Sequence, residues 1–311
     1  MRRLLAVALV VSAAALSGCA PSGGDERPQI VVTTNILGDV VQHVVGDEAQ
    51  VTTLMKPNAD PHSFEISAQQ AARMSEADLV VANGLGLEEG LQQHLNRVAN
   101  TGRKVFTAGD HVQPLPYSSG EAAGTPDPHF WTDPARMIDV VKALEGALSG
   151  IKGLEPNGLK ERAASYRERL EHLDREMGQS FASIPSVQRA LVTNHHVFGY
   201  LADRFTFRVI GAVIPGGTTL AAPSAADLRA LAEAIKQAGV PAIFAESSQP
   251  DRLVQVLARE AGVHVAVVAL YTESLSEPGQ DAETYLAMMR TNTDRITTAL
   301  TRAATHPRGT P

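Results

Sequence analysis

The chain has 311 residues, 44% of them hydrophobic, enough for one large core or two medium ones, which excludes a disordered or low-complexity chain. Its 27 basic and 34 acidic side chains leave a net charge of −7, and an acidic body repels phosphate backbones, so nucleic acid is not an expected partner. The one cysteine, Cys19, excludes a disulfide framework and a thiolate metal site.

Residues 1–19 read as a targeting signal. Arg2 and Arg3 precede the apolar run Leu4–Leu16, which is shorter than the roughly 20 residues a membrane-spanning helix needs. The run closes on Leu16-Ser17-Gly18-Cys19, which is similar to a bacterial lipobox and implies a lipid anchor on Cys19 at the outer face of the cytoplasmic membrane or in the periplasm. Residues 20–28, rich in Gly, Pro and Ser, then read as a flexible tether.

From Gln29 onward, short β-branched runs alternate with amphipathic stretches, the pattern of α/β sheets with helices on their faces. Strands are predicted at Ile30–Thr34, Val51–Met55, Leu79–Ala82 and Val105–Thr107, with helices over Gly38–Val45, from the cap Ser67 to Ala77, and over Leu87–Ala99. After the loop His111–Pro128, Asp133-Pro134 opens a helix with proline at its favoured first position. The stretch Asn157–Ser183 differs. Leu159, Ala163, Tyr166, Leu170, Leu173 and Met177 alternate spacings of four and three, which predicts one amphipathic helix roughly 40 Å long. A coiled-coil seam is the competing reading, although about three heptads is marginal for one, and a monomer is expected. Beyond Pro185, strands are predicted at Ala190–Thr193, Arg208–Val213, Ala242–Ala245 and Val263–Leu270, and helices at Phe198–Arg204, Ala225–Ala238 (capped by Ser224), Pro250–Ala261 and Asp281–Ala303. The expected architecture is two similar α/β lobes, 29–155 and 185–311, joined by a backbone helix at 156–184, with no sequence repeat between them.

Three of the ten histidines stand apart: His62, His129 and His195 each follow a strand or its loop and precede a helix, where open α/β sheets place ligands. Imidazole nitrogens suit Zn, Mn, Fe or Ni, and one carboxylate would complete a four-ligand shell. Glu246 and Glu273 both lie just past a predicted strand and both qualify. His43, His94, His111, His172, His264 and His306 lack such a placement and are assigned to surface or ordinary packing, and Met288 and Met289 to the core.

Five segments carry a family resemblance: Asp60-Pro61-His62-Ser63-Phe64-Glu65, Asp127-Pro128-His129-Phe130-Trp131, Thr193-Asn194-His195-His196-Val197-Phe198-Gly199-Tyr200, Phe244-Ala245-Glu246-Ser247-Ser248 and Tyr271-Thr272-Glu273-Ser274. In this order the chain resembles the zinc/manganese substrate-binding lipoproteins of bacterial ABC importers (cluster A-I) over nearly all of Gln29–Leu300. The resemblance implies that these loops meet in a cleft between the lobes, two ligands from each, with the long helix limiting hinge opening and a membrane permease as partner. The implied ligands are His62, His129, His195 and Glu273. Glu273 stands where Asp is common, which keeps Glu246 as the substitute, and His196 stands where the family usually has Asp and reads as a supporting or solvent-facing residue. Family members with three histidines resemble zinc receptors, while those with Glu at the third position and a final Asp resemble manganese receptors. His195 therefore implies Zn²⁺, with Mn²⁺ as the alternative, and three nitrogen donors favour the same choice.

Two other classes compete with this reading. A zinc hydrolase needs an open coordination position, whereas a closing carboxylate leaves no activated water, and the chain has no HExxH, Gly-x-Ser-x-Gly or phosphate-cradling glycine loop. A surface adhesin is compatible with a lipoprotein but has no signature in the residues. A metal receptor, not an enzyme, is the expectation.

Overall fold

The computed structural model describes residues 27–117, 122–214, 217–220, 223–247, 252–260 and 265–302. The leader, most of the tether, Cys19, His264 and His306 lie outside the described residues.

The first lobe runs β1 (Gln29–Val32), α1 (Asn35–Val45), β2 (Gln50–Thr53), α2 (Ala68–Glu76), β3 (Leu79–Ala82), α3 (Gln92–Asn100), β4 (Val105–Thr107) and α4 (Pro134–Leu148). The backbone helix α5 (Pro156–Ala182) leads to β5 (Ala190–Thr193), α6 (Gly199–Phe205), β6 (Arg208–Ala212), α7 (Ala225–Ala238), β7 (Ala242–Glu246), α8 (Arg252–Glu260), β8 (Ala266–Leu270) and α9 (Tyr285–Arg302). Every strand pairing is parallel, in the orders β2-β1-β3-β4 and β6-β5-β7-β8. The two sheets therefore share one topology without a sequence repeat, and the candidate ligands follow the carboxyl ends of β2 and β4 in the first and of β5 and β8 in the second.

Alternation along the strands decides which layer each side chain joins. Ile30 and Val32 enter the main core while Val31, between them, packs with Leu54, Met74 and Val80 under α2 and α3. In the second sheet Leu191 and Phe244 face the main core, whereas Val192 and Ile243 pack with Ile235, Val254 and Leu257 under α7 and α8. Both faces of each sheet are covered, which is why β3 and β7 read as continuous apolar runs.

Helix α5 opens at Pro156, with the Glu155 carboxylate accepting from the amides of Asn157 and Gly158. Its stripe Leu159, Ala163, Tyr166, Leu170, Leu173, Met177 and Phe181 is buried against the chain's own α1, α4 and α9. The stripe is thus consumed within the molecule and is not available as a coiled-coil seam. One hydrophobic core runs along it from Ile30 and Val40 of the first lobe to Leu191, Leu270 and Leu300 of the second.

Two predicted helices begin later than the periodicity indicates. The stretch from Leu87 forms a 3₁₀ turn at Glu89–Leu91 before α3, because Glu88 is buried and its carboxylate accepts from Thr33 Oγ1 (2.6 Å), Asn83 N (2.7 Å) and Gly84 N (3.0 Å). Gly84 has φ +79°, and a Cβ there would lie 2.2 Å from the Thr107 side chain, so the turn needs glycine. The final helix starts at Tyr285 rather than Asp281, where the Tyr285 amide donates to Asp39 Oδ2 of α1 at 3.0 Å.

Candidate metal centre

His62 and His129 are presented by the same local device. In Asp60-Pro61-His62 the Asp60 Oδ1 accepts from the amide of His62 (2.8 Å), and in Asp127-Pro128-His129 the Asp127 Oδ1 accepts from the amide of His129 (2.9 Å). An aspartate bonded to the backbone two residues on forms a tight turn, and the proline between them removes conformational freedom. His195 sits just beyond β5, where Thr193 Oγ1 donates to its carbonyl (2.6 Å). Glu273 sits three residues past the end of β8.

The structure brings these four side chains to one point. Glu273 Oε1 lies 3.0 Å from His62 Nε2, 3.1 Å from His129 Nε2 and 3.1 Å from His195 Nε2, and the Nε2 atoms of His62 and His129 are 3.3 Å apart. All four are buried, and their ligating atoms lie within 4.8 Å of one another. Tetrahedral coordination with arms of roughly 2.0–2.1 Å has edges of about 3.3–3.4 Å, so the spacing suits a single small cation with little adjustment.

The remaining ring nitrogens face carboxylates. His129 Nδ1 is 2.7 Å from Asp127 Oδ1, His195 Nδ1 is 3.4 Å from Glu246 Oε2, and His62 Nδ1 is 4.0 Å from Glu89 Oε1. A proton on Nδ1 of His129, donated to Asp127, leaves a lone pair on Nε2, facing the carboxylate of Glu273 and the ring of His62. Lone pairs converging at this distance repel unless a proton or a cation lies between them. Gly199 makes room for the arrangement, since a Cβ there would lie 2.6 Å from Asp127 Oδ2.

Without a cation, protons take that role. Burial opposes charge on His195, but the Glu273 and Glu246 carboxylates outweigh it and raise its pKa well above the ordinary imidazole range. His129 is raised in the same way, burial being overcome first by Asp127 and then by Glu273. Burial alone would raise Glu273, yet the attraction of His195 and hydrogen bonds from His129, His195 and His62 bring it well below the usual carboxylate range. Its second oxygen, Oε2, is buried with no hydrogen-bond partner among the described residues.

Glu246, the other candidate carboxylate, ends β7 on the far side of the His195 ring from the convergence point, with its Oε2 3.4 Å from Nδ1. His196 stays out of the cluster. It lines a cavity of about 320 Å³ with Tyr117, Asp127 and Phe198, and burial, then His195, lowers its pKa. His43 contacts Asp39, His111 stacks on Phe106, His172 pairs with Glu176, and His94 takes no part in the cluster. Asp60, Asp127 and Glu89 carry no role in the sequence reading. The repeated Asp-Pro-His spacing was the signal for the first two, while Glu89 becomes visible only once β3 and its loop are folded beside His62.

Residues 30–299 match the family described as "Zinc-uptake complex component A periplasmic". The manganese ABC transporter substrate-binding lipoprotein PsaA of Streptococcus pneumoniae is 27% identical over 96% of this chain and 97% of its own. The iron-binding protein YfeA of Yersinia pestis is 27% identical over 94% of this chain and 93% of its own. The solved periplasmic zinc-binding protein TroA of Treponema pallidum superposes with a TM-score of 0.81 at 30% identity, covering 88% of this chain and 99% of that one. With nearly its whole folded length matched, and with two parallel-sheet lobes around a buried cluster of imidazoles, this chain belongs to the zinc-uptake component A family, the metal-binding substrate receptors of ABC importers, and is not an enzyme.

Proposed function

We propose that the chain captures Zn²⁺ outside the cytoplasmic membrane, holds it with His62, His129, His195 and Glu273, and hands it to a membrane permease for import. The observation that carries this reading is the approach of three Nε2 atoms to one Glu273 oxygen at 3.0–3.1 Å inside a buried site. Three neutral imidazoles and one carboxylate form a borderline donor set, which suits Zn²⁺ better than the harder Mn²⁺. The carboxylate closes the shell, so the ion is sequestered as cargo and no bound water is left to activate. A lipid anchor on Cys19 would keep the receptor beside its permease. Among the described residues no helix is long and apolar enough to cross the membrane.

One observation favours Mn²⁺. Glu273 Oε2, without a hydrogen-bond partner among the described residues, could add a second oxygen and raise the coordination number. Because Zn²⁺ outcompetes Mn²⁺ at almost any site of this kind, metal analysis of protein purified without added metal separates the readings better than competition. Zinc is expected in the site, and manganese in its place would overturn the assignment.

A further inference from the structure

Glu273 follows the last strand of the second sheet, but its neighbours are not held by that lobe. Tyr271 still is: its amide donates to Asn292 Oδ1 of α9 (2.9 Å) and its carbonyl accepts from Asn292 Nδ2 (2.6 Å). At the next residue the attachment changes. Trp131 Nε1 donates to the carbonyl of Thr272 (2.8 Å), Asn35 Nδ2 donates to Ser274 Oγ (2.8 Å), and the Leu275 amide donates to Asn35 Oδ1 (3.0 Å). The Asn58 amide adds a bond to the Leu275 carbonyl (3.0 Å), and Tyr285 OH returns to the Trp131 carbonyl (2.6 Å). Asn35 and Trp131 are both buried first-lobe residues, so these bonds are shielded from water.

His195 is held differently. Its carbonyl accepts from Thr193 Oγ1, Asn194 O accepts from the Ile214 amide (2.8 Å), and its ring rests against Glu246, all within the second lobe. Ties from the second lobe to the first come further along the chain, where Tyr200 OH donates to Asp127 O (2.6 Å) and Thr219 Oγ1 donates to Asp60 Oδ2 (2.5 Å).

We infer that Glu273 is carried by the first lobe, with Asn35 and Trp131 as its positioning residues, so that His62, His129 and Glu273 form a preassembled three-ligand half-site which His195 closes. This rests on the ligand assignment proposed above. It divides the site three to one between the lobes, where chain position alone divides it two to two. A metal ion meets three donors before the lobes finish closing, and loss of His195 leaves a working, weaker site.

The test is a set of Zn²⁺ dissociation constants measured by competition with a chromophoric chelator on the purified chain. His195→Ala and Glu273→Ala are each combined with Asn35→Ala or Trp131→Phe; the phenylalanine keeps the ring and removes only the Nε1 donor, so it decides the matter if Asn35→Ala does not fold. Each positioning substitution is expected to weaken Zn²⁺ binding about 10–100-fold in the wild-type and His195→Ala backgrounds, the usual effect of a residue that orients a ligand. In the Glu273→Ala background it is expected to change binding less than about threefold, because the group it positions is gone. Equal losses in the His195→Ala and Glu273→Ala backgrounds would show a merely structural role and overturn the inference. Wild-type affinity in Glu273→Ala alone would remove the ligand assignment itself, and this inference with it.

Discussion

The two sheets have the same strand order, yet they present their histidines by different means. In the first lobe both imidazoles sit on Asp-Pro-His turns whose aspartates bond the histidine amide, so three consecutive residues set the backbone that presents each ring. In the second, His195 depends on a threonine two residues back and on Glu246 from the neighbouring strand. Burial does not distinguish the sheets: the central strands β1, β3, β5 and β7 are almost wholly buried, and edge strands keep exposed positions in both, at Gln50 in the first and at Arg208, Val209, Ala266 and Ala269 in the second. The same topology can thus give a locally built half of a site and a half assembled from distant parts of the chain.

The largest effect expected is on the locally built half. His129→Ala removes a fully buried donor and should weaken Zn²⁺ binding by at least about a thousandfold, roughly 4 kcal/mol, with the thermal midpoint of the metal-free protein little changed; calorimetry and a melting curve read the two quantities separately. Leu170→Ala, in the α5 stripe between the lobes, should do the reverse. It should lower stability by about 2–5 kcal/mol in denaturant titration while leaving the stoichiometry of the folded fraction at one ion.

Asp127→Asn sharpens the contrast between the two ways of presenting a ring. It keeps the shape of the turn but replaces the carboxylate that accepts from His129 Nδ1, and a loss of affinity of about 10–100-fold is expected. An unchanged affinity would mean that His129 needs no such support.

The pH dependence follows from the raised pKa values of His129 and His195 in the metal-free protein. Each holds its proton to a higher pH than an ordinary imidazole, and Zn²⁺ must displace those protons to reach Nε2. Affinity should therefore rise with pH until both rings are neutral without metal, at about tenfold per unit for each proton displaced, and then level off. Titrations in two buffers of different ionisation enthalpy count the protons released.

Much of the scaffold was legible because its signals are local. The spacing Leu159, Ala163, Tyr166, Leu170 describes one helix face, and Ser67 and Ser224 mark helix starts that the structure confirms as capping boxes. The later starts of α3 and α9 were not legible, since each depends on a carboxylate bonded across the fold, Glu88 and Asp39 respectively. At the site, chain position and family likeness singled out His62, His129, His195 and Glu273, the four side chains that the structure gathers. Whether Glu246 or Glu273 faces the common point was open to residue reading alone, because both follow a strand; only the packed sheet puts Glu246 behind the His195 ring. The attachment of the Glu273 loop to Asn35 and Trp131 links residues more than 140 positions apart, beyond any local pattern.

Anomalous diffraction at the zinc edge from crystals of the Zn²⁺-loaded protein tests the central claim most directly. The account predicts one dominant peak within about 2.0–2.2 Å of Nε2 of His62, His129 and His195 and of a Glu273 carboxylate oxygen. A peak bound instead by His196 or Glu246, or one from which any of the three imidazoles is turned away, would contradict it.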